Sequence, residues 1–199
     1  REIYACAYSM EYHVENDVVI PENIAFNGNC ILQFADGNSI KFNTVIGDKF
    51  ATRLLSNATY KEIFFDDRET KIPNECCIDC KQLMVMTLPL NVKMVGNSAF
   101  SGCESLKEIT IPENVTNLDW GWVLNCKNLA TVYMLPTIPP IFGNQEEIIQ
   151  AVGKTYIYVK GDSYDSYVKK FPKQKQHFKL LTLPTKGHIN IIENAQYYY

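Results

Sequence analysis

The sequence predicts an α/β, β-rich right-handed solenoid, opened by an N-terminal β cap and closed by a C-terminal strand–helix–strand cap. Three observations lead there. Cys80, Cys103 and Cys126 stand 23 residues apart. Each is followed three residues later by a leucine (Leu83, Leu106, Leu129), and three further on by Met86, Ile109 or Val132. The segments on either side do not keep this spacing. Self-similarity at a fixed period of this length marks stacked coils that bury one side against each other.

Residues 1–41 lie outside the period and read as the N-terminal β cap. Ile31 to Phe34 and Ser39 to Phe42 are strand-like and flank Ala35-Asp36-Gly37-Asn38, a hairpin signal. Ile3 to Tyr8 is a further candidate strand. Val19-Ile20-Pro21-Glu22-Asn23-Ile24 echoes Ile111-Pro112-Glu113-Asn114-Val115, either as a relic repeat or by coincidence. A solenoid needs such caps because its end coils expose apolar edges and unpaired strand groups.

Residues 42–133 hold the repeats: 42–64, 65–87, 88–110 and 111–133. Stepping back eight residues from each cysteine gives Ile72, Val95 and Leu118, and stepping back three gives Cys77, Phe100 and Val123. Five columns keep their chemical type over three copies, and two keep the same residue. In 42–64 the match is faint, with Asn57, Tyr60 and Ile63 in the Cys, Leu and Ile slots. Leu106-x-x-Ile109-x-Ile111 alternates as a half-buried strand does. Pro112 then removes a ladder donor and stops it. Asn97 to Gly102 forms a tight turn that carries Phe100 inward. The expected repeat core is therefore Cys80, Leu83, Phe100, Cys103, Leu106, Ile109, Cys126 and Leu129.

Residues 134–183 form the closing unit. Tyr164, Tyr167, Val168 and Phe171 follow helical spacing, with Asp162 or Ser163 available as cap. Phe178 to Leu183 reads as the last strand. The tail, 184–199, has no strong pattern beyond Ile189 to Ile192, and either adds an edge strand or stays loose.

Ala99 to Leu118, "AFSGCESLKEITIPENVTNL", resembles the BspA-like leucine-rich repeat. That repeat has an Ala-Phe-x-Gly-Cys-x-x-Leu core followed by an Ile-Pro-x-x-Val step. Cys77 and Asp79 replace the Phe and Gly upstream, and Trp120, Trp122 and Val123 stand near the Ala-Phe position downstream. Thr131 to Phe142 and Ile157 to Phe171 look like the unit that closes such arrays in surface proteins of anaerobic bacteria. The resemblance implies a leucine-rich-repeat solenoid, an extracellular or cell-envelope location, and binding to a protein or host-surface ligand without catalysis. The chain starts at Arg1 rather than Met, as expected if a secretory leader has been removed.

Composition narrows the function classes. The net charge of −3 is too near neutral for a phosphate-binding surface, so no nucleic-acid partner is expected. No apolar run reaches the length of a membrane span. Seven cysteines cannot all pair within the chain, and are too few for a disulfide-built scaffold. Cys76-Cys77-x-x-Cys80 is open to three readings: inward structural thiols, a local disulfide, or a metal pair lacking two ligands. His13, His177 and His188 adjoin no nucleophile signature, and phosphate-loop glycine patterns are absent. Asp66-Asp67 and Glu146-Glu147 read as solvated pairs. Lys169, Lys170, Lys173 and Lys175 either attract an acidic glycan or lipid head group or form a solvated helix face. No cofactor or metal is expected.

If Leu106, Ile109 and Ile111 point inward, Glu108 and Thr110 face the other side of the sheet. The period adds Glu62, Phe64, Val85, Thr87, Thr131 and Tyr133 to that face. These eight side chains are the candidate ligand-binding surface. The alternatives are a spacer or assembly unit of the envelope, or an enzyme with its site in the N-terminal region.

Overall fold

The computed structural model describes residues 3–4, 12–15, 18–21, 31–35, 39–42, 45–46, 54–143, 146–150 and 154–182. Cys6, Cys30, the Asp36-Gly37-Asn38 turn, His188 and the tail 184–199 lie outside the described residues. The fold is a β-solenoid of about six turns with few helices.

At the start, β1 (Ile3–Tyr4) pairs antiparallel with β4 (Ile31–Ala35), and β2 (Tyr12–Glu15) pairs antiparallel with β3 (Val18–Pro21). β4 runs antiparallel to β5 (Ser39–Phe42), with an irregularity between Leu32 and Phe34. β5 also pairs in parallel with β6 (Glu62–Phe64), placing Ile40 level with Ile63, 23 residues on. The repeat register thus already holds at β5.

From there the chain alternates between two parallel sheets. A strand of the second sheet, β7 (Lys71–Ile72), leads to β8 (Val85–Thr87) of the first. The same step takes β9 (Met94–Val95) to β10 (Glu108–Ile111), and β11 (Asn117–Leu118) to β12 (Thr131–Met134). β13 (Ile141–Phe142) ends the second sheet, in the order β13-β11-β9-β7. β14 (Tyr156–Val159) and β15 (Phe178–Leu180) extend the first, in the order β15-β14-β12-β10-β8. The Met84 amide donates to Lys61 O at 3.1 Å, linking β8 to the coil of β6.

A third inter-coil ladder runs through the turns. Cys77 N donates to Ala99 O (2.7 Å) and Phe100 N to Trp122 O (2.8 Å). Asp79 N donates to Ser101 O (2.7 Å) and Gly102 N to Leu124 O (2.8 Å). Each turn needs left-handed backbone twice, at Glu75, Ser98 and Gly121 and again at Asp79, Gly102 and Asn125. Asp, Asn and Gly tolerate that region best, which explains the second column's composition.

Asn57 carries the same left-handed backbone, with φ 59°. This corrects its placement in the cysteine slot. Asn57 N donates to Ile78 O, as Asp79 N does to Ser101 O, and Ala58 N bonds Leu55 O, as Cys80 N bonds Cys77 O. Asn57 therefore matches the glycine position and buried Ala58 the cysteine. This coil is one residue shorter between its turn and Tyr60.

Leu83 and Leu106 are fully buried and Leu129 nearly so, and they stand at equivalent points of successive coils. Ile109, Val132 and Met86 are buried level with one another along the first sheet. Cys80, Cys103 and Cys126 carry free, buried thiols. Their Sγ atoms donate to the carbonyls of Leu55 (2.9 Å), Cys77 (3.2 Å) and Phe100 (3.1 Å) in the preceding coil. The small thiol fills space and satisfies a carbonyl at once.

Beyond β12 the helix α1 (Tyr164–Lys170) buries Tyr167, whose hydroxyl donates to Pro136 O at 2.9 Å. Ser163 occupies the cap position, but its side chain makes no cap bond. Its hydroxyl donates backward to Lys160 O instead. A 3-10 turn, Pro172–His177, brings in buried Gln174. Its Oε1 accepts from Ile148 N and its Nε2 donates to Ile149 O, both at 2.7 Å. Trp122 Nε1 donates to Ile148 O, tying this segment to the last repeat.

Candidate functional site

Strand alternation sorts the first sheet into a buried and an outer face. Parallel pairing without offset then stacks the outer residues into two columns. One runs Val85, Glu108, Thr131, Tyr156 in the five-stranded sheet, and the period of 23 continues it to Glu62 and Ser39, which are paired in the neighbouring four-stranded sheet. The other runs Thr87, Thr110, Tyr133, Tyr158, Lys179, and continues likewise to Phe64 and Lys41 of the neighbouring sheet. Six of the eight candidate residues therefore share one sheet face, and Glu62 and Phe64 stand one coil away, across the hydrogen bond from Met84 N to Lys61 O. Tyr156, Tyr158 and Lys179 extend it beyond the repeats. The Tyr-Ile-Tyr-Val alternation at 156–159 carried the signal for the two tyrosines.

Exposure along the face is uneven. Phe64 and Val85 are exposed at 40% and 45%, and Glu62 and Thr87 are exposed too. Glu108, Thr131 and Tyr133 are half-buried. Thr110 departs from expectation, being 4% exposed with its Oγ1 making no hydrogen bond. A short side chain in the middle strand, level with the much larger Tyr133, loses its access to water while still facing outward.

The electrostatics follow from that shielding. Burial raises the Glu108 carboxyl above its ordinary value, and no cation among the described residues offsets this. Burial, then the charges of Glu108 and Tyr158, raise the Tyr133 phenol. The Tyr133 and Tyr158 rings lie 5.4 Å apart at 31°. At the end of the face Lys179 Nζ sits 5.1 Å from the Tyr156 ring centroid.

A carboxyl whose pKa is raised on folding favours the native state only while protonated. Its contribution is present below the ordinary value of 4.5 and is lost as pH rises through the elevated one. Glu108→Gln should therefore stabilise the chain at pH 7 and lose that advantage at pH 4. Urea unfolding at both values checks it, and an equal shift at both would contradict the assignment.

Other candidates are engaged structurally. Asp66 accepts from the backbone and guanidinium of Arg68, whose hydrogen bond holds its carboxyl below the usual value. Glu146 pairs with Lys173. Lys170 Nζ donates to Pro139 O and Pro140 O, so the basic run is partly spent on the Pro-Pro loop. His177 Nδ1 lies 2.8 Å from Thr155 O. Cys76, Cys77 and Cys80 are free thiols, which removes the disulfide reading. Burial and the neighbouring Cys76 and Cys80 push the Cys77 thiol well up. Among the described residues no group of His, Cys, Asp or Glu is arranged to hold a metal ion. None of their helices is long and apolar enough to cross a membrane.

Residues 2–130 match the family model described as the BspA type leucine-rich repeat region, in six copies. The chain belongs to the BspA-type leucine-rich-repeat family. No curated protein matches it. BspA-type repeat proteins are commonly surface-located or secreted and often engage other proteins, and their solenoid is typically non-catalytic. The six copies begin upstream of residue 42, in keeping with the register of β5.

Proposed function

We propose that this BspA-type chain is a non-catalytic protein-binding or adhesion module of a bacterial cell-surface or secreted protein, and that the outer strand face is its binding surface. The observation that supports this is the exposure of Phe64 and Val85, with Glu62 and Thr87 exposed alongside, on strands of successive coils. Exposed apolar side chains rimmed by polar ones, on a surface that cannot collapse, suit a protein ligand. Thr131, Tyr133, Glu108 and Thr110 supply the more sheltered half. In this reading residues 42–133 are the regular repeat body, the copies upstream of residue 42 double as the N-terminal cap (1–41), and 134–183 form the C-terminal cap with 184–199 as a tail. The antiparallel strands at one end, and the strand, helix and strand at the other, support those cap assignments.

The test uses an array of purified extracellular-matrix proteins and glycans, probed with the chain and with Phe64→Ala/Tyr133→Ala. We expect a protein ligand whose affinity falls about tenfold or more in the variant, as loss of aromatic anchors implies, at a temperature where circular dichroism shows the variant still folded. Undiminished binding by the variant would move the site off the strand face. Self-association with no captured ligand would favour a spacer or assembly role.

A further inference from the structure

Four polar side chains are neighbours at the centre of the outer face. Glu108 and Thr110 project from one strand two residues apart. Tyr133 is level with Thr110, and Tyr158 with Tyr133. Among the described residues none of the four makes a side-chain hydrogen bond or ion pair, and Thr110 Oγ1 is buried besides. Elsewhere such groups are used: Asn91, Asn114 and Asn128 each donate to a carbonyl of the preceding coil. Buried polar groups in folded proteins are ordinarily satisfied; among the described residues Thr110 Oγ1 is the buried side-chain atom that is not, and the half-buried groups around it are open to an outside partner.

Its chemistry selects that partner. A carboxylate only accepts, and Glu108 is half-buried with no cation among the described residues set against it. A neutral polyol would supply donors but leave the charge uncompensated. A guanidinium supplies five donors, a positive charge and a flat face that stacks on an aromatic ring. The same face already shows the pattern in miniature, with Lys179 Nζ over the Tyr156 ring.

We propose that the Glu108–Thr110–Tyr133–Tyr158 cluster is a subsite for one arginine side chain of a protein partner. Glu108 pairs with the guanidinium, the Tyr133 and Tyr158 rings pack against it, and a turn of the Tyr133 ring opens Thr110 Oγ1 to it as a further acceptor. This rests on the strand face being the binding surface.

The probe is N-acetyl-arginine amide, with N-acetyl-citrulline amide as its neutral analogue and an N-acetylglucosamine trisaccharide as the polyol. Each is titrated into the isotopically labelled full chain while the tyrosine ring resonances are followed by NMR. We expect saturable shifts at Tyr133 and Tyr158 with the arginine probe, and binding at least about fivefold weaker with citrulline, as loss of a charge-assisted pair implies. Glu108→Gln should bring the two probes to equal affinity, and Thr110→Val should weaken the arginine probe by about two- to threefold. Lys107→Gln should leave the preference unchanged. Equal response to arginine and citrulline, no saturable shift, or a saccharide response at these rings in place of the arginine one overturns the proposal. A protein ligand from the array that is lost in Phe64→Ala/Tyr133→Ala but kept in Glu108→Gln sinks this subsite alone. A ligand kept in both variants sinks the strand-face reading as well.

Discussion

Leu106→Ala should lower the unfolding free energy by about 3–5 kcal/mol, near the top of the range for a buried leucine. Leu106 is fully buried in a central coil, with Leu83 and Leu129 at the equivalent points on either side. Truncation removes its transfer free energy and leaves a cavity. The cavity cannot close easily, because main-chain ladders on three sides fix the distance between coils. Leu129→Ala should cost less, since Leu129 is already slightly exposed. Urea unfolding of the full chain with each variant gives both values. A loss below about 1 kcal/mol for Leu106→Ala would mean that the leucine row is not interior, because fully buried leucines do not behave so.

Gly96→Ala should cost about 2–4 kcal/mol and change how the chain unfolds. A Cβ at residue 96 would stand 2.6 Å from Asn74 N and 2.8 Å from Pro73 C, both in the backbone of the preceding coil. Main chain cannot rotate away as a side-chain tip can, so the two coils must part. Parting strains the bonds from Gly96 N to Ile72 O (2.9 Å), Glu75 N to Asn97 O (2.7 Å) and Asn97 N to Asn74 Oδ1 (3.0 Å). Each coil of a solenoid leans only on its neighbours, so a weakened interface uncouples the halves it joins. Both tryptophans, Trp120 and Trp122, lie on the C-terminal side of this interface. Their fluorescence should therefore report a higher unfolding midpoint than circular dichroism in the variant, while the two coincide in the parent. Coincident midpoints in Gly96→Ala would refute the uncoupling.

Much of the repeat body was legible beforehand. Cys80, Cys103 and Cys126 share a slot because each thiol faces an equivalent carbonyl one coil back. The faint coil at 42–64 misled because it is one residue short. Counting 23 from Cys80 reached Asn57, whereas the left-handed turn, which only a few residue types accept, marks Asn57 as the glycine equivalent. That preference was readable, since Asp79, Gly102 and Asn125 share it. At the outer face the alternation of Glu108 and Thr110 gave a direction but not accessibility. Thr110 faces outward and is still shut off from water.

The sequence by itself determined the period, the residues that point inward, and membership of the repeat family. These follow from local rules: alternation along a strand, a proline that ends it, and a turn that admits few residue types. Only the tertiary structure decided how far each outer residue meets solvent, which lysines and asparagines are already engaged, and where polar groups are left open. Those depend on the size of the neighbour one coil away, and stacking sets that neighbour across 23 residues of chain rather than within any short stretch of it.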